Sequence, residues 1–183
     1  MQDLKLYSMA DRMQISKTGV SVVEDYLRSV SRVIKVFNLE EHQKYQKADI
    51  DIAVITLNDG VVGFETIEIK TDTYKTGNLY FETVSCIEKE TPGCLMYSEA
   101  DYLYYYFVQT TELYVMNMKM FREWVIKNRN SFVVKNTSTK LFGEAGRYTS
   151  EGLLVPLWKI RKNFKLFEGQ VILLRDDDKQ AVI

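Results

Sequence analysis

Asp51, a short hairpin and then Glu68-Ile69-Lys70 set three costly side chains along one face of a small sheet. Residues 49–57 alternate polar and apolar side chains, and residues 61–70 do so again, with Ile67 and Ile69 on one side and Glu68 and Lys70 on the other. Alternation of period two marks half-buried strands. Asn58, Asp59 and Gly60 lie between the two runs, a strong hairpin signal. Folded about this turn, the hairpin sets Asp51 opposite Glu68, with Lys70 one pleat further along the same face. Two neighbouring carboxylates repel unless a positive charge intervenes, and a divalent metal or an ammonium group serves.

Hydrolysis of a phosphodiester is the chemistry that such a group supports. Carboxylates are hard oxygen ligands suited to Mg²⁺, and the Ile69 carbonyl could add a third oxygen. The metal polarises a phosphoryl oxygen and lowers the pKa of its water. Lys70 would orient or deprotonate that water, or stabilise the charge that develops on phosphorus. Glu-x-Lys is also common on exposed strands, where it means only a solvated face. Asp49 competes with Asp51 because strand parity does not separate them; hairpin register favours Asp51, which faces Glu68, whereas Asp49 would face Lys70.

Asp51 followed by a hairpin and Glu68-Ile69-Lys70 resembles the hallmark of the PD-(D/E)XK nuclease superfamily, the restriction-endonuclease-like enzymes that include Holliday junction resolvases. The naming proline is missing, since Ala48 and Ile50 precede the two aspartates. The resemblance continues through residues 70–82 (KTDTYKTGNLYFE), which are similar to a run in small phage-type members. It extends to residues 100–107 and 152–157 and covers most of the chain from about Gly19 onward. It implies a restriction-endonuclease-like α/β core, a mixed sheet of four or five strands flanked by helices, in one domain spanning residues 1–183. It also implies a Mg²⁺-dependent deoxyribonuclease, with Mn²⁺ able to substitute. Asp51, Glu68 and the Ile69 carbonyl would hold the metal, and Lys70 would act on the water or phosphate. The partner would be DNA, and a homodimer is expected if the chain belongs with the resolvases. The alternative is a catalytically silent DNA- or protein-binding module of the same fold.

Two more acids join the candidates. Val20, Val23, Leu27, Val30 and Ile34 recur at helical spacing within residues 16–37, which predicts a helix with a core-facing stripe. Glu24 sits beside that stripe. The resemblance implies that it reaches the metal as a catalytic auxiliary, and the residues alone read equally as a boundary salt bridge. Residues 78–86 read as a continuation of the site sheet, and Glu82, at the end of a strand over residues 78–82, could border the site from that neighbouring strand and position a metal or water, or serve structure alone.

The remaining elements must position these groups. Residues 102–109 and 112–116 read as strands, and residues 118–127 as a helix packing Phe121, Trp124 and Val125. Pro156 opens a basic amphipathic helix through Phe164, and residues 136–152 read as a polar hairpin or flap. Lys75, Thr76, Gly77 and Asn78 are placed to touch a scissile backbone. Tyr102, Tyr104, Tyr105 and Tyr106 suit sheet packing better than base stacking.

The 183 residues are 46% hydrophobic and 27% charged, the range of one globular domain. No run approaches the ~20 apolar residues of a membrane span, and the start lacks a signal-peptide pattern, so a cytoplasmic protein is expected. Cys86 and Cys94 are not at zinc-site spacing and read as free thiols. His42 is the sole histidine, which makes Ser-His-Asp chemistry and histidine-rich metal sites improbable. A net charge of −1 neither supports nor excludes DNA, but argues against strong nonspecific binding at physiological salt.

Overall fold

The computed structural model describes residues 9–73, 76–140 and 147–174. Lys75 and the tip of the expected flap lie outside the described residues. The first helix, α1 (Met9–Ser29), ends sooner than its apolar spacing predicts. Val20, Val23 and Leu27 are buried as the stripe requires, but residues 33–38 leave the helix for a strand, β1 (Val33–Asn38). The β-branched run Val33-Ile34 and the short period-two alternation that follows suit an edge strand. Ile34 consequently faces out, 57% exposed, rather than into the core.

A short helix, α2 (Gln43–Lys47), leads into β2 (Ile52–Asn58) and β3 (Val61–Asp72). Asn58 pairs with Val61, and the two loop residues Asp59 and Gly60 both take positive φ, 49° and 81°. That is the two-residue hairpin with the primed turn that Asp-Gly favours. The chain then runs through β4 (Asn78–Cys86), β5 (Thr91–Pro92), the one-turn α3 (Cys94–Tyr97), β6 (Tyr102–Phe107) and β7 (Glu112–Asn117). Helix α4 (Met118–Lys127), β8 (Val133–Lys140), β9 (Arg147–Pro156), α5 (Leu157–Lys162) and β10 (Gln170–Leu173) follow. The helix expected to open at Pro156 is shorter than predicted: α5 ends at Lys162, and a separate 3-10 turn spans Phe164–Leu166.

The strands make two sheets, which corrects the expectation of one sheet of four or five. Six strands run in the order β1-β2-β3-β6-β7-β10, and four in the order β5-β4-β9-β8. The fold is therefore mixed α/β with two sheets and five α-helices among the described residues. Expectation and structure part at β4, read as a continuation of the site sheet. Period-two alternation reports that a segment is a strand but not which strand it pairs with. β4 pairs instead with β9, from Asn78 opposite Pro156 to Glu82 opposite Gly152.

Within the larger sheet β3 and β6 are parallel and the other neighbours antiparallel. Parallel strands need a long crossover, and here it carries β4, β5 and α3. Asp101 locks the junction, its carboxylate accepting from the Thr66 amide at 2.8 Å and the Thr66 hydroxyl at 2.7 Å. The core has two parts, one on each face of the six-stranded sheet. Val20, Val23 and Leu27 of α1 pack on Ile52, Val54, Ile67 and Ile69. On the other side Leu79 and Phe81 of β4, Leu95 of α3 and Phe121 of α4 pack on Leu103 and Tyr105. Tyr104, Tyr105 and Tyr106 are all buried, so these rings are core and offer no face to a nucleic-acid base.

Candidate active site

Ile67 and Ile69 point toward α1, so the intervening Glu68 and the next residue, Lys70, point to the opposite face, beneath β4 and α3. Pleat parity thus sends an acid and a base into the space between the two sheets. Glu68 is 1% exposed and forms an ion pair with Lys70 through Oε1. Its other oxygen, Oε2, is buried without a hydrogen-bond partner among the described residues. Burying a carboxylate oxygen unpaired is costly.

Asp51 immediately precedes β2. Its amide donates to the Ile67 carbonyl at 3.0 Å, and its Oδ2 accepts the Ile69 amide at 2.8 Å. The antiparallel register that pairs Ile52 with Ile67 sets it opposite Glu68. Asp49, in contrast, is not on a strand: it takes φ 53°, a left-handed conformation that aspartate tolerates. Asp49 and Asp51 therefore do not share a strand face as the alternation predicts. The turn still aims Asp49 at the site, with Oδ2 4.0 Å from Lys70 Nζ and lacking a hydrogen bond.

The position of Asp49 is held from the far side. Ser98 donates its hydroxyl to the Asp49 carbonyl at 2.9 Å, and the Glu99 amide donates to the Ala48 carbonyl at 2.9 Å. Arg122 of α4 donates to the carbonyls of Leu95 at 2.7 Å and Ser98 at 2.6 Å, anchoring α3 and the residue that follows it. Gly93, which precedes α3, lies so near β4 that a Cβ there would meet the Glu82 carbonyl oxygen at 2.4 Å. This close approach delivers Cys94 to the site. Ligand atoms of Asp49, Glu68 and Cys94 all lie within 4.8 Å of one another, a group that could hold a metal ion.

Glu82 borders the same space from the second sheet, where its carboxyl interacts with Lys70, with Asp49 and with the amide and thiol of Cys94. Glu24 has other partners, an i,i+4 ion pair with Arg28 and a hydrogen bond from Asn38 at 3.2 Å. Asn38 also donates to Glu40 at 3.4 Å, and Glu40 bears electrostatically on Asp51, whereas the groups acting on Glu24 are Arg28 and Asn38. His42 is exposed and sits edge-on to Tyr45.

Electrostatics set the character of the site. Burial pushes the Glu68 carboxyl well up; Lys70 pulls it down, while Asp51 and Asp49 add to the rise. Asp51 is likewise raised by burial, against the pull of Lys70 and the Ile69 amide. Burial raises Glu82 as well, opposed first by Lys70. For Lys70 burial acts downward, but Glu68, Cys94 and Asp49 outweigh it and hold the ammonium well above its ordinary range. Burial pushes the Cys94 thiol up. Among the described residues four carboxyl groups thus share one ammonium, a balance that favours uptake of protons or of a cation.

A divalent cation fits these residues. Among the described residues buried oxygens of Glu68 and Asp49 lack hydrogen bonds, and oxygen-seeking cations satisfy such atoms. Sequence reasoning read Cys94 rightly as a free thiol but did not place it at the site. No local spacing ties residue 94 to residue 68; only the turn at Gly93 and the docking of α3 bring them together. The chain matches no protein-family model, no curated protein and no solved structure.

Proposed function

We propose that this chain is a metal-dependent nuclease that hydrolyses DNA phosphodiesters, of the restriction-endonuclease-like type that its Asp51 and Glu68-Ile69-Lys70 resemble. One observation carries the reading: a buried glutamate with one oxygen on Lys70 and the other unpartnered, facing Asp51 across the hairpin. Mg²⁺, with Mn²⁺ as substitute, would be held by Asp51, Glu68 and the Ile69 carbonyl, with Glu82 alongside. When bound, such an ion polarises the scissile phosphate and acidifies a water.

The chain's own residues do the rest. Asp51 is oriented by the Ile69 amide, which fixes the carboxylate against β3. Lys70 stays protonated among the acids, so it serves as a fixed positive charge toward the phosphate and donates hydrogen bonds to the attacking water. Such preorganised charge is worth more in a partly dry site than in water. Glu24, paired with Arg28 and Asn38, would be the auxiliary that the resemblance implies. A second protomer follows if the substrate is a four-way junction, which is cut at two symmetric positions.

The test is cleavage of labelled linear duplex, single strand and four-way junction DNA with Mg²⁺ or Mn²⁺, by wild type and Lys70→Ala. Metal-dependent cutting that vanishes in Lys70→Ala, with DNA binding retained, is the expected result. No cutting of any substrate by the wild type would leave a catalytically silent binding module.

A further inference from the structure

Cys94 has no part in the nuclease reading, yet its sulfur lies within 4.8 Å of ligand atoms of Asp49 and Glu68. A thiol and two carboxylates are a poor donor set for Mg²⁺, which prefers oxygen and water. They suit a borderline-soft divalent ion, since zinc accepts thiolate sulfur together with carboxylate oxygen, usually with four ligands.

An independent observation points the same way. Among the described residues Glu68, 1% exposed, keeps Oε2 without a hydrogen bond while Oε1 holds Lys70, and Asp49 Oδ2, 4.0 Å from Lys70 Nζ, is buried without a hydrogen bond too. A cation placed among the three residues would satisfy both oxygens and leave the Glu68–Lys70 ion pair intact. Asp49 and Cys94 are both held by backbone contacts. Ser98 fixes the Asp49 carbonyl, and the Gly93 amide donates to the Thr83 carbonyl at 2.9 Å.

We propose that Asp49, Glu68 and Cys94 form a site for a thiolate-binding divalent cation of the zinc class, overlapping the Mg²⁺ position through Glu68. On binding, a metal–sulfur bond forms and the Cys94 proton leaves to solvent. Asp49 then has its own role, distinct from that of Asp51. The overlap with Mg²⁺ rests on the nuclease reading; the binding itself does not. Because the two ions share Glu68, an ion of the zinc class competes with Mg²⁺ and silences cutting.

Co²⁺ titration of the full chain, read by the thiolate-to-cobalt charge-transfer band in the near ultraviolet, tests the site without any cleavage assay. The band is expected in wild type and in Cys86→Ser, saturating at one equivalent, and lost in Cys94→Ser. Asp49→Asn is expected to weaken Co²⁺ binding about 10-fold or more. X-ray absorption of the Zn²⁺-loaded Cys86→Ser protein gives a second reading that needs no change at the site. One sulfur at about 2.3 Å beside oxygen ligands supports it. No band in wild type, a band that survives in Cys94→Ser, or an oxygen- and nitrogen-only shell around zinc overturns the proposal. Failure of these tests leaves Mg²⁺-dependent cleavage standing, and absence of cleavage leaves the cobalt band standing.

Discussion

Glu68, Lys70, Asp51 and Asp49 illustrate how one hairpin gives each charged residue a different environment. Glu68 is in the strand interior and buried, Lys70 is one pleat nearer the opening, and Asp51 is braced by a backbone amide at 2.8 Å. Asp49 itself takes a left-handed conformation, its carbonyl is held by Ser98, and its Oδ2 has no hydrogen bond among the described residues. Replacing Asp51 by Asn preserves an oxygen for the Ile69 amide while removing the charge, so the change isolates the ligand role. Asp51→Asn is expected to lower Mg²⁺ affinity about 10–100-fold, and Asp49→Asn to lower it by less than about 3-fold. Isothermal titration with Mg²⁺ measures both, and a reversed order would make Asp49 the Mg²⁺ ligand.

Among the elements, the crossover between β3 and β6 decides what the site contains. It supplies Glu82 from β4 and Cys94 from α3, and its packing depends on close backbone contact at Gly93. A Cβ at that position would lie 2.4 Å from the Glu82 carbonyl oxygen and 2.8 Å from the Thr83 carbonyl carbon, backbone atoms with little freedom to move. Gly93→Ala is therefore expected to destabilise the fold by about 1–3 kcal/mol and to abolish the cobalt band while the protein remains folded. Chemical denaturation and the Co²⁺ titration check the two effects separately. Normal stability with an unchanged band would mean that α3 shifts freely and does not position Cys94.

Across the whole molecule, the site carries a pH dependence whose sign follows from its carboxyl groups. Asp51, Glu68 and Glu82 are all raised, chiefly by burial. The folded chain then holds protons more tightly than the unfolded chain, so this contribution is complete below the unfolded carboxyl values. It fades as pH rises through the raised folded ones. Lys70 is raised as well, and its contribution persists below its ordinary range and fades only in strong alkali. Above the ordinary carboxyl range and below that of lysine, the carboxyl groups govern. The metal-free wild type should therefore lose melting temperature relative to Glu68→Gln across that window, and Mg²⁺ should recover more of it at the upper end. Parallel melting curves for the two proteins in chelator would count against a raised Glu68.

Much of this was legible from residues 49–70 alone. Alternation placed the strands, Asp59-Gly60 placed the turn, and pleat parity assigned Glu68 and Lys70 to the face opposite Ile67 and Ile69. Local patterning also located α4 at Met118–Lys127, because the spacing of Phe121, Trp124 and Val125 is a sequence-local fact. The boundary between α1 and β1 was less legible, since Val30 and Ile34 continue a helical spacing that the β-branched run then breaks. Pairing of β4 with β9 and the arrival of Cys94 beside Glu68 were decided only by the tertiary structure. Local sequence determines secondary structure and facing through short-range backbone geometry. Which distant segments meet depends on how the two sheets and α3 bury their apolar faces together, and no spacing along the chain records that.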